Sequence, residues 1–378
     1  MNKKKISILA LHLGFGGVEQ VICNTANMLC DDFDVEIISL YKKNEEIPFK
    51  INDKVKIKYL MNTCSNKEEF KTAVKNKNII NIFKEGFKSV YILLNKNRLI
   101  KKEVNKTDAK IIISTRYSFS ELLNKNKKNN HIFIHEEHTY STSDDYINKL
   151  KELNNIDYIK PCSKVLYETY LENGINNLFY IPLGLNYYPN EKETSKLNTK
   201  NLIAVGRLEP EKGYLDLIEV VNELVKKDKV IKLNIFGSGS EEEKINNLIK
   251  TYKLENNIKL WGFQTQDFIK KYMKDSSLYV MTSFEESFGL VLIEAMSYKI
   301  PCIAFDSAKG AKYTIINNKN GYIIKNRNIK EMSNKILEYL KLDEKEKLNM
   351  GAFARNSISI YKYDNVKKEL IKFYKNIQ

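Results

Sequence analysis

The chain has 378 residues, 43% hydrophobic and 29% charged, which suits two domains with a full core each and excludes a disordered polymer. No stretch approaches the ~18–20 consecutive apolar residues of a membrane span. The net charge of +15 calls for an anionic partner: a phosphate-bearing substrate, an acidic lipid surface or nucleic acid. Residues 50–110 hold 16 Lys and Arg against 6 Asp and Glu, a local net of +10.

In chain order, 6–12 reads as a strand, Gly14-Phe-Gly-Gly17 as a turn, 18–29 as a helix and 35–40 as the next strand. Residues 64–105 read as basic helical material, and 111–115 and 131–135 as buried strands. A linker over 186–195 is polar and lacks apolar period. The β-α rhythm then restarts: strands over 201–205, 232–236, 258–261, 278–282 and 302–305, with helices over 214–226, 241–252 and 286–298. This alternation predicts an α/β protein with two doubly wound parallel-sheet domains, 1–185 and 186–356, and an amphipathic closing segment over 357–378. In such sheets ligands lie outside the carboxyl ends of the strands, so the cleft between two facing sheets is the expected site.

The cysteines, Cys23, Cys30, Cys64, Cys162 and Cys302, are scattered and form no C-x-x-C pair. That argues against disulfides and a zinc site and fits a reducing cytoplasm. The N-terminal apolar run stops too early for a signal peptide. No zinc knuckle, RNP-like or helix-turn-helix signature supports nucleic acid.

The most specific segment is Thr282-Ser-Phe-Glu-Glu-Ser-Phe-Gly-Leu-Val-Leu-Ile-Glu-Ala-Met296. A strand runs through a turn into a helix whose first N–H groups, at Gly289 and Leu290, suit a phosphate. Glu286 and Glu294 are eight positions apart, ~2.2 helical turns, so both are expected on nearly the same side, gripping sugar and ribose hydroxyls. In Val205-Gly-Arg-Leu-Glu-Pro-Glu-Lys-Gly213, Arg207 and Lys212 suit a diphosphate. Phe236-Gly-Ser-Gly239 follows another strand, Trp261-Gly-Phe263 another, and Asp306 is expected to brace a loop. Gly16-Gly17 follow the first strand, but Glu19 occupies the place where a dinucleotide fingerprint needs a third small residue. Ile134-His-Glu-Glu-His138 is not H-E-x-x-H, so a zincin is not expected. Asp32-Phe-Asp34 has a metal-binding form but reads as a solvated turn.

The Glu-x7-Glu pattern, Gly206-Arg207 with Lys212-Gly213, and the Gly-Ser-Gly turn together resemble the GT4 family of retaining glycosyltransferases with the GT-B fold. The resemblance is strong over 201–325 and weaker over 1–185, where Gly16-Gly17, His138 and Ile181-Pro182 carry it. It implies that Glu286 binds the donor sugar within the donor loop that includes Ser287 and Phe288. Gly289 and Leu290 hold the diphosphate through backbone N–H groups, Arg207 and Lys212 neutralise it, and Glu294 binds the ribose. Gly262 and Phe263 read the base, Gly16 and Gly17 let donor phosphate and acceptor approach, and His138 contacts the sugar.

The resemblance further implies a nucleotide-sugar donor, UDP-linked by family habit, with retention of anomeric configuration and no metal or cofactor. It also implies a terminal helix crossing back to the first domain. The acceptor is expected to be a glycan, lipid-diphosphate-linked, in bacterial surface polysaccharide synthesis. The enzyme is expected in the cytoplasm, peripheral on the inner membrane face through the basic tract 50–110. A nucleotide-sugar 2-epimerase and a non-catalytic partner subunit are the competing readings.

Overall fold

The strands fall into two sheets, each parallel throughout. The computed structural model describes residues 3–14, 16–62, 66–126, 131–138 and 141–377. The first sheet holds β1 (Lys5–Ala10), β2 (Asp34–Tyr41), β3 (Lys56–Met61), β4 (Ile111–Ser114), β5 (Ile132–Glu137) and β6 (Tyr158–Pro161). Its helices are α1 (Gly17–Leu29), α2 (Lys67–Lys75), α3 (Ile79–Val104), α4 (Tyr117–Asn124), α5 (Asp144–Lys151) and α6 (Lys164–Glu172). The strand order is β3-β2-β1-β4-β5-β6. β4 and β5 are buried at every position. A strand covered by helices on both faces has no solvent side, so its apolar residues run on without alternation.

The second sheet holds β7 (Asn201–Val205), β8 (Lys232–Phe236), β9 (Ile258–Leu260), β10 (Leu278–Met281), β11 (Cys302–Phe305) and β12 (Gly321–Ile324). Its helices are α7 (Tyr214–Val225), α8 (Glu242–Thr251), α9 (Gln266–Lys274), α10 (Leu290–Ser297), α11 (Ile329–Lys341) and α12 (Glu344–Ser357), and α13 (Tyr363–Asn376) closes the chain. The order is β12-β11-β10-β7-β8-β9. Each sheet grows outward on one side of its first strand, then returns to the other side. The reversal lies between β1 and β4 in the first and between β7 and β10 in the second.

The chain forms two compact units. One comprises Met1–Cys162, Tyr167–Gly184 and Lys367–Gln378; the other comprises Ser163–Leu166 and Leu185–Val366. The core of the second joins Ile218 and Val221 of α7 to Leu233 and Ile235 of β8, Val280 of β10 and Met332 and Ile336 of α11. From Lys367 onward α13 belongs with the first unit. Phe373 stacks on Phe179 at 3.8 Å, Tyr374 is buried edge-on to Phe33, and Lys367 pairs with Asp31 at 2.9 Å.

Several local expectations change. The stretch 186–195 is no free linker: it belongs to the second unit, with a capping box at Asn190 and with Glu191 paired to Lys299 and Arg355. The strands β3, β6 and β12 are short or charged and gave no clear apolar run; β6 even buries Lys160. The expected helix over 286–298 begins only at Leu290, because Gly289 sits at φ 76°, left-handed, and ends the loop there. The Asp32-Phe-Asp34 turn pairs its carboxylates with Lys375 and Lys56. Cys23, Cys30, Cys162 and Cys302 are buried; Cys64 lies outside the described residues, as does Phe15 of the first glycine turn.

Candidate functional site

At a reversal point the two adjacent inner strands send their following loops to opposite faces, which opens a crevice at their carboxyl ends. In the second unit that crevice is walled by the loop after β7, residues 206–213, and the loop after β10, residues 282–289. The two loops are clipped together by backbone: Phe284 N–H donates to Glu211 O at 2.8 Å. A Cβ on Gly213 (φ 64°) would lie 2.2 Å from Thr282 O, so the approach needs glycine twice over.

Lys212 and Glu286 meet across this junction. Lys212 Nζ lies 2.8 Å from Glu286 Oε2, and both side chains are largely shielded. Glu286 Oε1 accepts from Gly289 N–H at 3.3 Å. The expectation that Gly289 offers a free N–H is therefore corrected: the donor is already held by Glu286, and Leu290 N–H begins α10. Glu286 precedes the helix, and Glu294 lies on it.

Glu294 has no hydrogen-bond or ion-pair partner for its carboxylate among the described residues, and burial pushes its carboxyl up to about 7. A shielded acid without a partner is costly unless something else supplies donors. Arg207 is not drawn into the Lys212–Glu286 pair. Its guanidinium is 69% exposed and bonds Glu211 at 2.6 Å. Behind the loops, Gly310 N–H donates to Glu286 O at 2.8 Å, and a Cβ there would strike Ser287 O at 2.3 Å. Phe288 is buried edge-on to Tyr361.

The Gly-Ser-Gly turn holds the Arg207 loop. Leu208 N–H donates to Ser238 O at 2.9 Å, and a Cβ on Gly237 would lie 1.8 Å from Gly206 O. Gly237 N–H in turn donates to Gly262 O at 2.9 Å. Gly262 sits at φ 67° with open space where a Cβ would be, and Phe263 beside it is 58% exposed. Trp261 is instead committed to an aromatic cluster with Phe236, Phe268 and Tyr272. Asp306 braces its loop by accepting from Asn326 N–H at 3.3 Å.

Arg327 escaped the sequence reading. It donates to Thr282 O, Ser283 O and Ser307 Oγ, pairs with Asp216 of α7 and stacks on Phe284 at 3.5 Å. Those contacts fix the start of the 282–289 loop. No spacing in the sequence marks it, because its partners come from two separate loops and from α7.

In the first unit, Gly16 precedes α1, and a Cβ there would lie 2.0 Å from Glu19 Oε2; a Cβ on Gly17 would meet nothing within 4 Å. Glu19 is buried and approached by His12 at 3.4 Å and Arg116 at 3.5 Å, so the acid that breaks the dinucleotide fingerprint organises a charge cluster at the β1/β4 reversal. Burial lowers the His12 pKa, aided by Lys43 and Arg116 and opposed by Glu19. His138 follows β5, with Nε2 at 3.5 Å from Glu136 Oε2, beyond a good hydrogen bond. Burial alone would raise the Glu136 carboxyl; Lys160 and His138 outweigh it and hold it below the carboxylate range. His135 is committed to Ser120 and Glu137.

Two doubly wound parallel sheets, one with a lysine–carboxylate pair beside a helix start at its reversal point, define an α/β protein of the GT-B architecture. Residues 189–357 match the family model "Glycosyl transferases group 1". A poly(ribitol-phosphate) alpha-N-acetylglucosaminyltransferase of Staphylococcus aureus (strain COL) is 34% identical over 256 residues, 65% of this chain and 50% of the relative. An uncharacterized glycosyltransferase of Haemophilus influenzae is 28% identical over 338 residues, 87% of this chain and 88% of that one. The solved structure of S. aureus TarM in complex with Fondaparinux, alpha-GlcNAc-glycerol and UDP matches with a TM-score of 0.77 at 20% identity, covering 99% of each chain. Anabaena HepE in complex with UDP and glucose matches at 0.73 and 16%, covering 99% of this chain and 100% of that one. The chain spans about half the length of the S. aureus curated relative. The group 1 match falls on its second unit, and the chain shares the GT-B fold with the solved glycosyltransferase structures.

Proposed function

We propose that this enzyme is a retaining, GT4-type glycosyltransferase that moves a hexose or N-acetylhexosamine from a UDP-sugar to a glycan acceptor during synthesis of a bacterial cell-surface polymer. The observation that carries the reading is the Lys212–Glu286–Gly289 set at the β7/β10 reversal. In this reading the unliganded ammonium and carboxylate neutralise each other. A bound donor divides them, Lys212 turning to the diphosphate and Glu286 accepting from a sugar hydroxyl. Arg207, free at its exposed end, and the start of α10 at Leu290 add positive potential where charge develops on the leaving phosphate. Glu294, lacking donors of its own, takes a ribose hydroxyl, and Gly262 and Phe263 take the base. The acceptor oxygen attacks C1, the C1–O bond to the diphosphate breaks, and the acceptor proton passes to a phosphate oxygen. Gly16, Gly17 and His138 are assigned to sugar and acceptor, and the cationic side chains make a metal unnecessary.

The S. aureus relative acts on poly(ribitol-phosphate) by its name, and a Bacillus subtilis relative, 33% identical over 139 residues, is a poly(glycerol-phosphate) alpha-glucosyltransferase. Those names support an anionic surface polymer or a lipid-diphosphate-linked glycan as acceptor. They fit a chain of net charge +15 working at the cytoplasmic membrane face, drawn there through the basic tract 50–110. The test is a panel of nucleotide sugars screened by thermal shift and then by nucleotide release, with and without acceptor. Stabilisation by UDP-sugars above other nucleotide sugars is expected. Release that persists unchanged in Glu286→Ala overturns the assignment.

A further inference from the structure

The helix α3 is apolar on the wrong side. Its inner face is anchored by buried Ile92, Ile100 and Val104, and at its start Asn66 donates to Glu85 and accepts from Ser89. Its outer face carries Ile80, Phe83, Phe87, Val90, Tyr91 and Leu94, with Ile80 79%, Phe87 74% and Leu94 72% exposed. Positions 80, 83, 87, 90 and 94 repeat at steps of three and four, so they form one stripe along a helix. A run of exposed large apolar side chains on one face marks a partner surface.

Charge says which partner. Lys84 flanks the stripe, and Arg98, Lys101 and Lys102 continue it; all are exposed, and none has a carboxylate partner among the described residues. The two carboxylates of α3 point the other way: Glu85 to Asn66 and Glu103 to Lys58. The outward face of α3 is thus apolar and cationic with no acid. Pairing with a second copy would set the same cations against each other. An in-plane helix at a lipid interface has this composition, with aromatic and aliphatic residues at the acyl boundary and Lys and Arg at anionic headgroups. α3 is 26 residues long but too charged to cross a bilayer, and no described helix can.

We propose that α3 is a membrane-docking helix that lies in the plane of an anionic bilayer and buries its outer stripe at the acyl boundary. This rests on the proposed membrane-face placement and adds insertion to electrostatic attraction. Attraction alone vanishes in high salt; insertion leaves a residue of binding that salt does not remove.

The test uses the full chain with vesicles of phosphatidylglycerol and phosphatidylcholine, and with phosphatidylcholine alone. The parent is expected to float with the anionic vesicles and to keep part of that binding in high salt. Phe83→Ser/Phe87→Ser is expected to lose at least about tenfold in affinity, since two exposed rings are the main apolar area removed, with an unchanged melting temperature. Phe87→Trp is expected to be quenched by brominated lipid beyond the parent, whose only tryptophan is Trp261. Equal vesicle binding by the serine variant, or no added quenching, overturns insertion. A parent that ignores vesicles but changes from dimer to monomer in the serine variant assigns the stripe to self-association and overturns it as well. Nucleotide release in solution reports the glycosyltransferase reading separately: its absence sinks that reading and leaves the vesicle result standing.

Discussion

The two sheets have the same strand order, yet their reversal points are furnished differently. At β7/β10 the polar groups are only partly satisfied: Glu294 has no side-chain partner among the described residues, Arg207 has an exposed end, and Lys212 and Glu286 are held by each other. At β1/β4 the buried Glu19 is already flanked by the His12 imidazole and the Arg116 guanidinium. Topology therefore provides a place for a ligand, and the loops decide whether charge is left over to meet one. In the second unit the charged groups are paired at a loop junction, while the first uses much of its charge to order its own glycine turn.

Substitution can break this contrast, starting with the largest effect. Glu286→Ala should lower nucleotide release by about 10³-fold, roughly 4 kcal/mol, with little change in melting temperature, since it removes an orienting group rather than packing. Lys212→Ala should cost about 10²-fold, and the double variant should fall short of the product, because the two side chains act as a unit; steady-state rates read both. Gly237→Ala should lower stability by on the order of 2–3 kcal/mol in denaturant unfolding, as a methyl group meets the Gly206 carbonyl.

Glu294→Gln sharpens the comparison through pH. Its carboxyl is raised to about 7 from 4.5, so between those values the native state holds a proton that the unfolded chain has lost. Native stability then falls as pH rises through this window, and it is flat below and above it. The glutamine variant should be more stable at pH 8, by roughly 1–2 kcal/mol once residual solvent contact is allowed for, and equal near pH 4. Its affinity for nucleotide should fall at both ends. Smallest in rate is Glu19→Gln, which should shift the melting temperature but change nucleotide release by less than about tenfold. A collapse in rate like that of Glu286→Ala would erase the distinction between the two reversal points.

Much of the fold was legible because parallel strands covered on both faces are unbroken apolar runs, as in Ile111 to Ile113 or Cys302 to Phe305. Edge strands such as β3, alternating Lys56-Ile-Lys58, carried no such signal. In the second unit Lys212, Glu286 and Gly289 meet because the loops that carry them each follow a strand, while Arg207 stays outside that set. What pattern could not supply was pairing. That Glu286 captures the Gly289 N–H depends on one left-handed glycine, and the role of Arg327 on two loops and α7 meeting. The outer stripe of α3 was read only as basic helical sequence, since periodicity gives an apolar face without saying whether the body covers it.

The route of α13 has a consequence for how this protein comes apart. Apart from the short excursion of Ser163–Leu166, the chain stays in the first unit to residue 184, builds the second from 185 to 366, and returns to the first at Lys367. The second unit is mostly an insertion, whereas the first is completed only once residues 367–377 have been made. A nascent chain stalled before Lys367 would hold nearly all of the second unit but a first sheet lacking Phe373 and Tyr374, with Phe33 and Phe179 uncovered. Removal of residues 367–378 should accordingly unravel the half that lies first in sequence.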